Sequence, residues 1–205
     1  MRKQVEGQGF TEYAVDPDQL SAALAVKQRL ETGFLTQNTL YVGASATSRT
    51  VVEYRPPELT GIYLEGTENP VRVPMPGMVM IRIIIGKQPI YGIFAVRERP
   101  TSMDTKLYLP PLPNMHTGGK VCWGTVKRVP GNALKGVDLS QDWTLYLGSP
   151  FNNHAVQGKS KKHAKDVRLM LVEVENEGLT DYPVDDLTPD TTLSSFLKRL
   201  ENGVV

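Results

Sequence analysis

The sequence predicts an α+β domain, and three observations carry that prediction. Residues 16–32 hold apolar side chains at the spacing of an amphipathic helix. From Thr39 to Val96 the period changes to two, and short β-branched and aromatic runs alternate with turn residues. Two later stretches, residues 138–147 and 190–200, again indicate helices. A chain of 205 residues favours one domain with extensions over two domains.

The first helix has recognisable ends. Asp16 is typical of an N-cap, Pro17 of the first helical position and Gln19 of a capping box. Its apolar stripe consists of Leu20, Ala23, Leu24, Val26 and Leu30. The pair at 32–33, Thr-Gly, ends it, and we expect the helix to cover a sheet. Residues 1–15 show no period and indicate a loose arm or a short edge strand.

Six short runs indicate the strands of an antiparallel meander. They are Thr39–Val42, Thr50–Tyr54, Gly61–Leu64, Val71–Val73, Met78–Ile85 and Ile90–Val96. The last two are joined by Gly-Lys-Gln-Pro at 86–89, which predicts a hairpin. Turn residues about every ten positions favour local connections between neighbouring strands.

The remainder of the chain indicates helices and one linker. Residues 138–143 begin a helix, and Val167–Val174 indicates either a strand or a buried helix. Residues 173–190 are acidic and contain two prolines, which predicts an extended linker. A small amphipathic helix follows, capped by Asp190 or Thr191. It either docks on the domain or is offered to a partner. The expected division is an arm at 1–15, a domain at 16–175, and a linker with a helix at 176–205.

Composition excludes several classes of function. A net charge of +1 provides no basic excess for binding nucleic acid. The longest apolar run, Met78–Ile85, is interrupted by Arg82 and is too short to span a membrane. No apolar region follows the charged N-terminus, so we expect no secretory signal and a cytoplasmic protein. One cysteine cannot form an internal disulfide, and with three histidines scattered along the sequence we expect no metal site. No phosphate-cradling glycine loop is present, so we expect that the chain does not activate its own substrate with ATP. We also expect no cofactor.

Residues 109–124, hereafter the cysteine loop, hold the only cysteine of the chain, Cys122. Three prolines at 110, 111 and 113 exclude a regular helix or a central strand. Two glycines at 118 and 119 predict a tight turn. Asn114 lies eight positions before Cys122. The pattern indicates a rigid loop that presents one thiol.

This loop resembles the active-site loop of ubiquitin-conjugating enzymes. Their pattern is His-Pro-Asn, a short turn with glycine, and a catalytic cysteine eight residues after the asparagine. Here the tripeptide is Leu-Pro-Asn, with Leu112 where the family usually has histidine. Val-Cys-Trp-Gly-Thr at 121–125 is similar to the bacterial branch, the prokaryotic family-D proteins that include PRTRC system protein B. The resemblance implies an N-terminal helix on an antiparallel four-stranded meander, an active-site loop and C-terminal helices.

The resemblance also implies roles for three side chains. Cys122 would carry an acyl group as a thioester, because a thiolate attacks carbonyls and the thioester stays reactive toward amines. Asn114 would donate a hydrogen bond to the oxyanion, or would only bond its own loop. His154 is the leading candidate for deprotonating the acceptor amine. His116 is a second candidate in an exposed turn, whereas His163 among lysines indicates solvated surface.

The function implied is that of a bacterial ubiquitin-conjugating-like carrier. Its partners would be a ubiquitin-like modifier, an adenylating (activating) enzyme and, in cassettes that carry one, a deconjugating metalloprotease. Such cassettes occur in PRTRC systems and in antiphage defence. One alternative is a catalytically inactive scaffold of the same fold that binds a ubiquitin-like protein or its activating enzyme. Another is a structural protein, and Cys122 would then be one more small buried apolar residue.

Overall fold

The computed structural model describes residues 2–5, 8–12, 16–21, 32–45, 48–85, 88–124, 126 and 136–201. It divides into two units, Met1–Glu31 and Thr32–Val205. The first unit contains an antiparallel hairpin of β1 (Arg2–Val5) and β2 (Gln8–Glu12), where the sequence predicted a loose arm or one edge strand.

Helix α1 follows in the first unit, and its residues 17–21 are described. The Asp16 carboxylate accepts from the backbone N–H of Asp18 at 2.8 Å, as an N-cap does. The Asp16 carbonyl accepts the first intrahelical bond from Leu20 at 3.0 Å. The predicted start of the helix is therefore confirmed. Its predicted continuation, residues 22–31, lies outside the described residues.

The second unit is built on a six-stranded antiparallel sheet with the strand order β10-β9-β8-β7-β4-β3. The strands of this sheet are β3 (Thr39–Ala44), β4 (Ser48–Arg55), β7 (Gly77–Ile85), β8 (Gln88–Val96), β9 (Lys106–Tyr108) and β10 (Pro189–Thr192). Strands β5 (Glu58–Ile62) and β6 (Val71–Met75) form a separate antiparallel hairpin.

Three α-helices complete the described part of this unit. They are α2 (Ser140–Leu147), α3 (Val167–Asn176) and α4 (Leu193–Glu201). The α3 N-cap is Asp166, whose side chain accepts from the backbone N–H of Arg168 at 3.0 Å. None of the helices in the described residues is both long and apolar enough to span a lipid bilayer.

Both faces of the sheet are buried, because alternate residues of β4, β7 and β8 enter two separate apolar clusters. On one face, residues such as Val51, Met80 and Ile93 pack with the β5–β6 hairpin, α2, α3 and the cysteine loop. On the opposite face, residues such as Val52 and Ile81 pack with α4. The cysteine loop is thus mounted on a rigid, two-sided core.

One charged side chain, Arg82, also lies on the sheet face that packs with α2. Arg82 follows Met80 in the alternation and is 1 % exposed. It forms an ion pair of 2.8 Å with the buried Asp142 of α2, which also accepts from the Tyr91 hydroxyl at 2.6 Å. The two partners satisfy both carboxylate oxygens, so this buried pair fixes α2 against the sheet.

Two expectations need correction. The sheet has six strands rather than four, because β9 and β10 extend it and the β5–β6 hairpin leaves it. Residues 173–190, predicted as a linker, instead contain the end of α3, a 3₁₀ turn at Val184–Asp186 and the start of β10. The physical reason is that Asp186 is buried and bonded to Ser160, Lys162 and Tyr182 rather than solvated. Helix α4 docks on the sheet, as the first of the two alternatives predicted.

Candidate functional site

The cysteine loop lies along the edge of β8. The Ile93 amide donates to the Gly119 carbonyl at 2.9 Å, and the Val121 amide donates to the Tyr91 carbonyl at 3.2 Å. Gly92 and Lys120 form an antiparallel bridge between these two bonds. A segment without regular secondary structure is therefore held by sheet-like backbone pairing just before Cys122.

The turn of the loop requires its two glycines. Gly118 and Gly119 have φ angles of 85° and 78°, in the left-handed region. A Cβ on Gly119 would lie 2.1 Å from Cζ of Phe94, so a side chain there would require the Phe94 ring to shift. The turn closes as Gly119 donates to the His116 carbonyl at 3.1 Å and His116 donates to the Lys120 carbonyl at 2.9 Å. His116 thereby occupies a defined, exposed position, as the sequence predicted.

The start of the loop is anchored in the core. Leu112 and Met115 are fully buried. The ammonium of Lys159 donates to the Leu112 carbonyl at 2.7 Å. Burial lowers the pKa of Lys159 to about 7. Leu112, which stands where the ubiquitin-conjugating pattern has histidine, therefore serves as a packing residue here, and the buried Lys159 amine fixes its backbone.

Asn114 connects the cysteine to a second segment of the chain. It has a φ of 57°, a left-handed conformation that asparagine tolerates better than most residues. Its carbonyl accepts from the Cys122 amide at 2.9 Å, and its own amide donates to the His154 carbonyl at 3.0 Å. Its side-chain Nδ2 donates to the Pro150 carbonyl at 3.1 Å. The carboxamide therefore bonds outside its own loop, and one Nδ2 hydrogen remains for another acceptor.

The second segment, residues 149–154, is itself held in place. Phe151 is fully buried, and it exchanges backbone hydrogen bonds of 2.7 and 2.8 Å with Tyr63 and Glu65. The His154 amide donates to Oδ1 of Asn152 at 2.8 Å, so a local side chain sets the direction of the chain there. His154 is exposed.

Cys122, Asn114 and His154 line one open groove of about 320 Å³. Its lining residues are Asn114, Cys122, Trp123, Gly124, Val126, Ser149, Pro150, Asn152 and His154. Cys122 is half-buried. The neighbouring Trp123 packs edge-on against Tyr91, with ring centroids 5.0 Å apart. Cys122 and Trp123 thus both line the groove, and the indole also packs with the core.

The expectation that the three histidines are scattered is wrong for two of them. The ligand-capable atoms of His116, Cys122 and His154 all lie within 4.8 Å of one another. The two imidazole rings meet edge to face with centroids 5.4 Å apart. The backbone bonds of Asn114 bring His154 close to Cys122. This proximity could not be predicted from the positions of the two residues in the sequence. His163, predicted as solvated, is instead partly buried and paired with Glu173 at 2.7 Å.

Such an arrangement can carry out acyl transfer. A half-buried thiol gives a nucleophile, a rigidly held carboxamide gives a hydrogen-bond donor, and an imidazole is a side chain that can act as a general base. The groove is open, so a flexible acyl-bearing chain end can enter it.

Comparison with known families gives one matching family model. The model of prokaryotic E2 family D matches residues 16–190, which include the cysteine loop and the segment with His154. No curated protein and no solved structure gives a significant match. Since the family model covers most of the 205 residues, the chain belongs to prokaryotic E2 family D.

Proposed function

We propose that this protein is a ubiquitin-conjugating-like carrier that forms a thioester on Cys122. Membership of prokaryotic E2 family D supports a ubiquitin-conjugating-like role in general. The observation that supports Cys122 as the acyl-bearing residue is its position in an open groove with Asn114 and His154. A cysteine packed beneath its neighbouring tryptophan would have favoured a scaffold.

The chemistry consists of two acyl transfers. The Cys122 thiolate attacks the carbonyl carbon of an adenylated C-terminal glycine, the C–S bond forms, and AMP leaves with the electron pair of the C–O bond. An amine nitrogen then attacks the thioester carbonyl, and the thiolate leaves as the amide forms. The proton lost from the amine passes to His154, and the Asn114 carboxamide donates to the oxyanion of the tetrahedral intermediate.

This reaction needs partners of defined chemistry. The acyl donor is a ubiquitin-like modifier with an accessible C-terminal glycyl group, and an adenylating enzyme supplies its activation. A metalloprotease that removes the modifier would complete the cassette. Either a PRTRC system or an antiphage system would provide this set of proteins.

The test is a charging assay with the purified chain, the modifier, the activating enzyme and ATP. We expect a covalent adduct that reducing thiols cleave. Cys122→Ser should give an adduct that resists thiols, because an oxygen ester replaces the thioester, and Cys122→Ala should give none. An adduct that persists in Cys122→Ala would overturn the proposal.

A non-catalytic scaffold remains the second candidate, favoured by one observation. Leu112, at the position of the family histidine, is fully buried in the core. If the protein is a scaffold, wild type and Cys122→Ala should bind the modifier or its activating enzyme equally well. Neither protein should form an adduct. Measuring binding and charging on the same preparations therefore separates the two functions.

A further inference from the structure

The cluster of His116, Cys122 and His154 provides two imidazole nitrogens and one thiol, and two of its three residues line the groove. Their ligand-capable atoms all lie within 4.8 Å of one another. We propose that these three side chains form a binding site for a zinc-class divalent cation. The site follows from the positions of the three residues and does not depend on the proposed acyl transfer.

The three ligand atoms need to move only slightly closer together to bind zinc. Zinc binds thiolate sulfur at about 2.3 Å and imidazole nitrogen at about 2.0–2.1 Å, so tetrahedral ligand atoms lie roughly 3.4–3.7 Å apart. The widest pair in the cluster must therefore approach by roughly 1 Å. His116 and His154 are both exposed, and rotation of their side chains can supply that movement.

The backbone already holds the three ligands in place. Cys122 and His154 are both bonded to Asn114, through hydrogen bonds of 2.9 and 3.0 Å. His116 is fixed by its two bonds across the glycine turn. Binding of a metal therefore orders side chains and leaves the loop as it is, which keeps the entropic cost of binding low.

The donor set selects the class of metal. Two nitrogens and one sulfur suit zinc and its neighbours, whereas magnesium and calcium require oxygen ligands. Binding displaces the thiol proton to solvent, so the divalent ion and one thiolate leave a net charge of +1. Three protein ligands leave the fourth coordination position open to water.

The site is expected to exchange its metal. Among the described residues, no hydrogen bond or ion pair occupies a ring nitrogen of His116 or His154. Ligating histidines usually donate their second ring nitrogen to an acceptor, and lack of that partner costs about 10–100-fold in affinity. A chelator should therefore remove the metal without unfolding the chain.

A consequence for acyl transfer follows, and this consequence alone rests on the proposed function. A thiolate bound to zinc is a weaker nucleophile than a free thiolate, because the metal withdraws electron density from the Cys122 sulfur. A metal-bound chain should therefore accept the modifier more slowly, so zinc would favour an uncharged, oxidation-protected form of the carrier.

The primary test uses cobalt(II) with the untagged full-length chain after treatment with chelator. We expect binding at one ion per chain, with a thiolate-to-cobalt charge-transfer band and the intense visible bands of tetrahedral cobalt. His116→Ala and His154→Ala should each weaken binding by at least about tenfold. His163→Ala is the matched control, because His163 lies outside the cluster and pairs with Glu173. Absence of the charge-transfer band in wild type, or unchanged affinity in both cluster variants, would overturn the site.

A second measurement uses the fact that Cys122 is the only cysteine. Alkylation by iodoacetamide should slow when zinc is added, recover on addition of a chelator, and lose its zinc dependence in His116→Ala. Alkylation insensitive to zinc in wild type would contradict the proposal. Cobalt binding without any charging of the chain would instead remove the carrier function and leave the metal site standing.

Discussion

Asn114 and His154 are joined through their backbones, since the Asn114 amide donates to the His154 carbonyl at 3.0 Å. The Cys122 amide donates in turn to the Asn114 carbonyl at 2.9 Å. A single residue therefore links the backbones of Cys122 and His154. Any function of this groove depends on Asn114 in two ways, through its backbone conformation and through its side chain.

Replacing the Asn114 side chain should separate charging from discharge. In Asn114→Ala we expect the thioester to form at near wild-type yield and to transfer to free lysine about a hundredfold more slowly, because one oxyanion donor is lost. Single-turnover discharge of the preformed thioester measures this. Asn153→Ala is the control, since this neighbouring carboxamide lies in a different cavity beside His116. Equal discharge rates for Asn114→Ala and wild type would remove the oxyanion role.

Replacing His154 should produce an effect that depends on pH. A base is needed when the attacking lysine is protonated, so His154→Ala should slow discharge by about a hundredfold or more near neutral pH. The deficit should shrink as pH rises, because more of the lysine is then neutral. Discharge rates across pH in the presence of a chelator measure this without interference from bound metal. A deficit that is constant with pH would mean that His154 only positions the groove.

Lys159 should make stability depend on pH. Burial lowers its pKa to about 7 in the folded chain, while an unfolded lysine titrates near 10.5. Between these values the unfolded chain binds more protons, so the free energy of unfolding rises with pH. From about pH 7 to about pH 9 this contribution is about 2 kcal/mol.

The matched variant is Lys159→Met, which keeps an unbranched side chain without the charge. Urea unfolding of both proteins across this range should show a rise in the wild type that exceeds the rise in the variant. Parallel curves would mean that the Lys159 ammonium is solvated in the folded chain.

The two glycines of the cysteine loop should differ in their response to substitution. Gly118→Ala meets no atom closer than 4.0 Å, so it should cost only the left-handed strain of about 1 kcal/mol. Gly119→Ala places a Cβ against the buried Phe94 ring and should cost a further 1–3 kcal/mol or so. Thermal unfolding of both variants measures the difference. Equal losses of stability in the two variants would show that the Phe94 ring moves aside at no cost in free energy.

Local patterns predicted much of the fold. Runs of β-branched residues located β7 and β8 to within two residues, and Asp16 marked the helix start. The proline and glycine pattern predicted a rigid loop, and in the structure Asn114 and Cys122 are directly bonded through the backbone. These features depend on neighbours in sequence, where conformational preferences act directly.

The features that were not predicted depend on distant contacts. Asp186 belongs to an acidic stretch, and only its burial beside Ser160 and Tyr182 turns that stretch into part of the domain. Lys159 belongs to a basic run typical of exposed surface, yet it is 1 % exposed. His154 reaches Cys122 through the backbone bonds of Asn114, in a segment that Phe151 anchors to Tyr63 and Glu65. Tertiary packing determines the positions of all three residues, and these positions cannot be predicted from local composition.

The pairing of β9 with β10 affects how the chain reaches its native state. The β7–β8 hairpin closes over a few residues, whereas Pro189 pairs with Tyr108 across roughly 80 residues. Long-range pairing of this kind forms late. In the interval, the outer edge of β9 presents unpaired N–H and C=O groups that another chain can bond. Aggregation during refolding should therefore begin at this edge, before β10 pairs with β9. It should increase with protein concentration.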